Sequence, residues 1–309
     1  MKTQSMQTWL ETTMTELSPL ASTGKLASYI PALENANPKS FGACILGLDG
    51  SAAKFGDYTE KFTIQSISKV LTFLCCLLDS PRERVFERIS VEPSPSSFNA
   101  IAELETHATR KPLNPMINAG AIVATEFVAG DTADEKFKRI RAMARLLSAN
   151  ADVDCNEAVY QSERETGDRN RSLAYYMKST EVIHSDVDSL LSVYFRACAL
   201  EMTCKDLANI AMVLARDGLS ETGETLLPKE ITQMARTVMA MCGMYNESGR
   251  YAVEVGVPSK SGVSGGILAV VPNKIGIGVY SPQVNANGTS VCGSALMKAL
   301  SQHFGLRVF

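Results

Sequence analysis

Two side chains three residues apart, Ser66 and Lys69, form the pair in this chain best placed to do chemistry. A serine hydroxyl is a weak nucleophile until a neighbouring base takes its proton. The spacing Ser-x-x-Lys sets an amine one helical turn from the hydroxyl, within its reach. The pattern occurs at Ser22–Lys25, Ser51–Lys54 and Ser66–Lys69, and about one match arises by chance in a chain of this length. Context separates the three. Ser22–Lys25 spans Thr-Gly and Ser51–Lys54 follows the turn Asp49-Gly50, so both read as solvated loops. Ser66 alone sits where a short strand, Phe62–Ile64, gives way to the apolar helix SISKVLTFLCCLLD. The first turn of a helix has free backbone N–H groups able to stabilise an oxyanion. Val70, Leu71, Phe73 and Leu74 flank Lys69, and burial lowers a lysine pKa from its free value of about 10.4 toward the range of a working base. The competing reading makes Ser66 an ordinary helix cap with Lys69 exposed on the first turn.

A second feature favours the catalytic reading. Lys260-Ser261-Gly262 occurs once, and in Ser–Lys acyl-transfer sites an edge strand carrying Lys-Ser/Thr-Gly lies beside the nucleophile. There Lys260 adds positive potential that favours neutral Lys69, and the glycine lets substrate approach the backbone. The glycine-rich continuation Val263-Ser264-Gly265-Gly266 matches neither a Walker loop nor GxGxxG, so a phosphate cradle is set aside.

Stepping outward, three regions must position these groups. Residues 8–34 show apolar spacings of three and four and are expected to be helical. Ala43–Leu48 is a short strand closed by the hairpin signal Asp49-Gly50. The middle, 83–225, reads as mainly helical, with helices at Lys136–Ser148 and Arg196–Arg216, the latter stopped by Asp217-Gly218, and with loops at 92–97 and 163–171. Strands are expected at Ala252–Val257, Gly266–Val271 and Ile275–Tyr280, and a last helix at Ser294–His303. Strands at both ends around a helical middle predict an α/β chain: a central, mainly antiparallel sheet shared by N- and C-terminal strands and flanked by helices, with an inserted all-helical lobe at about 83–225. Residues 1–309 read as one catalytic domain.

Composition narrows the function. With 309 residues, 45% of them hydrophobic, the chain buries a large core, and its net charge of −3 provides no basic surface for nucleic acid. The N-terminal stretch carries Glu11 and Glu16 and lacks the order of a signal peptide, and no apolar run is long enough to cross a membrane, so a cytoplasmic protein is expected. Eight cysteines without a CxxC, and only His107, His184 and His303, make no zinc set. The thiols read as reduced and mostly buried.

The segments FTIQSISK, NPMINAGAI, SERETGDRNRSLAYYM, MCGMYNESG and KSGVSGGI, in that order, resemble the glutaminase family of bacteria and mitochondria. That family shares the fold of class A β-lactamases and penicillin-binding proteins. The resemblance runs from about Gly24 to Gly293. It implies that Ser66 attacks the side-chain amide of glutamine with Lys69 as base, and that the backbone N–H groups of Ser66 and Val263 hold the oxyanion. It further implies that Asn118, Glu163 and Asn170 hold the amino-acid end of the substrate, that Tyr29, Tyr194 and Tyr245 line the pocket, and that Tyr245 relays protons. No metal or organic cofactor is implied, and a homo-oligomer, dimer or tetramer, is expected. Two alternatives stand beside this reading. One is a hydrolase of β-lactams or D-Ala peptides, although the chain lacks their Ser-Asp-Asn. The other is a glutamine sensor without turnover.

Overall fold

The computed structural model describes residues 3–106 and 108–309; His107, Met1 and Lys2 fall outside the described residues. The chain opens with α1 (Thr3–Leu17), then forms the hairpin β1 (Gly42–Gly47) and β2 (Ala52–Gly56), and a two-residue strand β3 (Phe62–Thr63). Helices follow: α2 (Ser68–Asp79), α3 (Arg82–Arg88), α4 (Ala102–Thr106), α5 (Asn118–Glu126), α6 (Ala133–Ser148), α7 (Glu157–Thr166), α8 (Asp168–Ser179) and α9 (Val187–Cys198). After β4 (Glu201–Met202) come α10 (Cys204–Ala215), α11 (Lys229–Cys242) and α12 (Ser248–Glu254). The chain ends with β5 (Ser259–Ser261), β6 (Gly266–Val271), β7 (Ile275–Tyr280) and α13 (Val291–Phe304).

The strands at the two ends of the chain share one sheet, as expected. Its order is β2-β1-β7-β6-β5 with every pairing antiparallel, so β5 and its Lys-Ser-Gly lie at an edge. Period-two alternation sends Ala43, Ile45, Ile267, Ala269, Ile277 and Val279 to one face, against α1 and α13. Cys44, Leu268, Val270 and Tyr280 face the other way, toward α2, α6, α10 and α11. On that face α10 lies almost on the backbone of β7. A Cβ at Gly278 would sit 2.1 Å from the Cys204 carbonyl oxygen, and one at Gly276 would sit 2.5 Å from the Met212 nitrogen. A separate helical cluster joins α5, α7, α8 and α9, and takes in Cys76 from α2 and Val263 from the turn after β5.

Several local expectations need correction. The pattern over 8–34 is α-helical only to Leu17. A 3₁₀ segment follows, and at Lys25 the chain pairs with Val284 (N–O 3.0 and 2.8 Å), a tertiary pairing that outcompetes the periodicity. Phe62–Ile64 is a strand, but β3 pairs with β4 outside the main sheet. That pairing also breaks the expected helix Arg196–Arg216: α10 starts afresh at a capping box, with Thr203 Oγ1 accepting from Asp206 N (3.2 Å) and Asp206 Oδ2 accepting from Thr203 N (2.8 Å). The middle is therefore not purely helical. The expected loop 163–171 is the junction of α7 and α8, whose polar side chains, apart from buried Glu163, are largely an outer face over buried Val159, Tyr160, Leu173 and Met177. Ala252–Val257 belongs to α12 and the turn after it, because a run this short does not distinguish strand from helix.

Gly278→Ala places a methyl group into the Cys204 carbonyl and should destabilise the protein by about 2 kcal/mol or more. Thermal denaturation of the purified variant measures this, and a melting temperature equal to that of the parent would contradict the close packing.

Candidate active site

Between β3 and α2 the chain makes one 3₁₀ turn, Gln65–Ile67. Ser66 lies in this turn rather than at the start of α2, and it caps neither element: Ile67 precedes α2, and no side chain caps its N-terminus. Gln65 takes φ 47°, a left-handed conformation that costs a non-glycine residue about 1–3 kcal/mol. The turn aims Ser66 back at the first residues of α2. Nζ of Lys69 lies 2.5 Å from Oγ of Ser66, in hydrogen-bond contact. Lys69 is 1% exposed, which rules out the solvent-facing alternative.

Burial holds the Lys69 pKa below its ordinary value, while the negative potentials of Cys198 and Glu163 pull it partly back up. Lys260, on β5, is wholly buried. Its amine donates to the carbonyls of Gly243 (2.9 Å) and Ser261 (2.8 Å) and sits 4.0 Å from the Tyr245 ring centroid. Its pKa is driven well below the usual lysine range, first by burial and then by the charge of Lys69. Two buried amines in one site thus both resist protonation.

Tyr245 has φ 56° and its hydroxyl donates to the Ser261 carbonyl at 3.3 Å. Burial raises its pKa, and interaction with the Ser66 side chain offsets part of that rise. The Tyr194 ring centroid is 5.4 Å from Lys69 Nζ. Tyr29 stands at the rim, 52% exposed. Its hydroxyl end is nonetheless desolvated, and burial followed by the Glu163 charge raises its pKa. Val263 lies buried in the turn Gly262–Gly265, closed by Gly265 N donating to Gly262 O at 2.9 Å. Among the described residues, neither the Ser66 nor the Val263 N–H donates to a protein acceptor.

The remaining predicted residues form the far wall. Asn118 is the first residue of α5, and its Nδ2 donates to Asn170 Oδ1 on α8 at 2.9 Å. Glu163 projects from α7; α7 and α8 meet at Gly167, where a Cβ would sit 2.6 Å from the Phe195 ring. Asn118 Oδ1 and Glu163 Oε2 are buried without a protein partner. Such orphan acceptors are rare in a native fold and mark a place built for outside donors. Burial raises the Glu163 pKa to about 8, with Lys69 opposing the shift.

All ten residues singled out in the sequence therefore border one site. Two more belong to it. Phe98, in the Pro- and Ser-rich loop, packs its ring 4.8 Å from that of Tyr245, and its carbonyl accepts from Asn118 N at 2.9 Å. An aromatic in a polar loop was the only signal. Cys198 accepts a hydrogen bond from Ser68 (3.7 Å) and has its pKa raised to about 12, chiefly by burial. Its sequence context reads as plain packing. Cavities of about 490 and 370 Å³ flank Val263, the first also lined by Tyr29 and Phe98. The cysteines are all free, and all but Cys155 are buried.

An antiparallel sheet with Lys-Ser-Gly on its edge strand, set beside a Ser-x-x-Lys turn, defines the β-lactamase-like fold class. Within that class the comparisons are specific. The family model described as Glutaminase matches residues 24–309. Glutaminase 2 of Clostridium perfringens is 47% identical over 98% of this chain and 100% of its own, and a glutaminase of Clostridium tetani is 47% identical with the same coverage. The crystal structure of a probable glutaminase from Bacillus subtilis superposes with TM-score 0.93 at 37% identity, covering 99% of this chain and 98% of that one. A probable glutaminase from Bacillus subtilis complexed with 6-diazo-5-oxo-L-norleucine gives TM-score 0.90 at 38% identity, covering 98% and 96%. The chain belongs to the glutaminase family.

The orphaned Glu163 carboxyl carries a measurable cost. Its folded pKa lies above its unfolded value, so the stabilisation it confers is complete below the unfolded pKa and is lost as pH rises through about 8. Glu163→Gln should therefore flatten the fall in melting temperature between about pH 6 and about pH 9. Parallel melting curves for parent and variant across that range would contradict the assignment.

Proposed function

We propose that the protein hydrolyses L-glutamine to L-glutamate and ammonia through a γ-glutamyl ester on Ser66. The observation that carries this reading is the 2.5 Å contact between Ser66 Oγ and a lysine amine whose pKa burial lowers. With that amine neutral, Ser66 gives its proton to Lys69 as Oγ bonds to the side-chain amide carbon. The carbonyl oxygen becomes an oxyanion facing the free N–H groups of Ser66 and Val263. The proton then passes to the amide nitrogen, with the Tyr245 hydroxyl as relay, the C–N bond breaks and ammonia leaves. Water, deprotonated by Lys69, attacks the ester; the bond to Oγ breaks, Ser66 regains a proton and glutamate is released.

The far wall selects the amino-acid end. Glu163, as carboxylate, pairs with the substrate α-ammonium. The amides of Asn118 and Asn170 and the hydroxyls of Tyr29 and Tyr194 orient the α-carboxylate, and an analogue that leaves them unpaired is rejected. The complex of the Bacillus subtilis relative with 6-diazo-5-oxo-L-norleucine supports an amino-acid site of this kind. A second Bacillus subtilis glutaminase structure, 38% identical with TM-score 0.90, is a covalent complex with 5-oxo-L-norleucine, in keeping with a nucleophilic mechanism. We take residues 1–309 as one catalytic domain acting without metal or organic cofactor, with no nucleic-acid or membrane partner, as a cytoplasmic dimer or tetramer. The helical cluster that shares Val263 with the sheet edge supports a single working unit.

Ammonia release from glutamine by the purified protein tests the reaction, with Ser66→Ala as control. No release above that control would end the proposal. Lys69→Ala should lower kcat at least about a hundredfold with the fold intact. In the parent, kcat should rise with pH through the Lys69 titration, because the neutral amine is the base. A flat profile from about pH 6 to about pH 9 would show that Lys69 is not the titrating base.

A further inference from the structure

Tyr245 is the one aromatic residue of the site held in the left-handed region, at φ 56°. A bulky side chain adopts that conformation only where its surroundings impose it. Main-chain bonds close the turn, Glu247 N–H to the Met244 carbonyl and Ser248 N–H to the Tyr245 carbonyl, and one buried hydroxyl adds to them. Ser248 is 6% exposed and begins α12. Its Oγ accepts from the Met244 N–H at 3.1 Å and donates to the Tyr245 carbonyl at 2.8 Å. Those two backbone groups flank the Tyr245 Cα, so one side-chain atom closes a ring across both dihedrals of the strained residue.

We propose that Ser248 is a positioning residue for the reaction, bracketing the left-handed turn so that the Tyr245 phenol stays at Ser66. The assignment rests on the role of Tyr245 given above. A serine hydroxyl bonded to the carbonyl three residues back is common at helix starts. The second bond, to the Met244 N–H, is not part of that habit, and it spans the strained residue. Neighbouring contacts brace the same turn from outside. Glu247 N donates to the Met244 carbonyl at 3.1 Å, and the Glu247 carboxylate accepts from Thr289 Oγ1 at 2.9 Å. These contacts hold the turn in place; among the side chains of the described residues, only that of Ser248 bonds the backbone on both sides of Tyr245. Without that bracket the turn can relax to negative φ, which swings the ring off its contacts with Lys260, Phe98 and the Ser261 carbonyl. Ser248 acts through Tyr245 and not on the substrate.

The test is a double-mutant cycle in the full chain, with glutamine as substrate. Ser248→Ala should lower kcat by about tenfold to a hundredfold, as small displacements of a catalytic group do, with KM within about twofold. In a Tyr245→Phe background the same change should alter kcat by less than about twofold, since the group it positions is gone. Ser248→Thr keeps the hydroxyl and should restore most of the activity. Should the alanine variant fail to fold, Ser248→Cys retains the shape with a weaker donor and should show the same loss of kcat at an unchanged melting temperature. A full additional loss in the double variant, or a folded Ser248→Ala or Ser248→Cys with parental kcat, overturns the assignment while leaving Tyr245 in place. Parental kcat for Tyr245→Phe removes the role of Tyr245, and this assignment with it.

Discussion

A lysine amine taken out of water and given a serine hydroxyl as its close partner is the constraint on which the rest depends. Burying an amine is expensive unless it is neutral or well paired. The helix that carries Lys69 is buried along nearly its whole length, from Ser68 to Leu77, with no acidic residue in its first turn. Lys69 thus meets no carboxylate on its own helix. The carboxyl that bears on it electrostatically is Glu163, on a different helix, whose own burial weakens its tendency to ionise. The second buried lysine, Lys260, is itself pushed toward the neutral form, chiefly by burial, and carbonyl oxygens alone accept from its amine. A helix so placed needs walls on all sides. The clusters around the sheet and around the helical segment supply them, meeting at α2 and at the turn of Val263.

The parts of this arrangement legible in the sequence are those whose geometry is local. Ser66 and Lys69 are three residues apart, so any helical turn brings them together. Asp49-Gly50 closes its hairpin by turn chemistry, and Gly50 does take a left-handed φ of 81°. Lys260-Ser261-Gly262 announced an edge strand, although the stretch before it proved helical. The rest depended on partners far along the chain. Residues around Lys25 carry helical spacing but pair with Val284. The break after Cys198 depends on β3, reached across more than a hundred residues, although Thr203-Cys204-Lys205-Asp206 carried a capping signal that could have been read. Ser248 looks like any serine at a helix start until the strained dihedral beside it is seen.

The site departs from the packing rules that the platform beneath it obeys. The sheet alternates cleanly between its two covers, and α10 rests on glycines of β7 with no room for a methyl group. Above this rigid base stand two non-glycine residues at positive φ, Gln65 and Tyr245, and two buried acceptors without partners, Asn118 Oδ1 and Glu163 Oε2. Strain and unmet hydrogen bonding persist only where surrounding structure fixes them. Of the seven non-glycine residues at positive φ among the described residues, Gln65 and Tyr245 border the site, and the acceptors Asn118 Oδ1 and Glu163 Oε2 lie on the wall assigned to the amino-acid end of the substrate.

That distribution gives the proposed substrate a part in its own activation. In the empty site Glu163 ionises as pH rises through about 8, and its charge then stabilises the ammonium form of Lys69 and opposes its action as base. A bound α-ammonium group would pair with the Glu163 carboxylate and cancel much of that potential. The amine of Lys69 would then lose a favourable neighbour for its charged form and release its proton more readily. On the proposed roles, engagement of the amino-acid end would ready the base at the other end, and a ligand lacking an α-ammonium group would forgo that gain. Discrimination by this route is electrostatic and acts on kcat as well as on binding, which a purely steric pocket would not achieve.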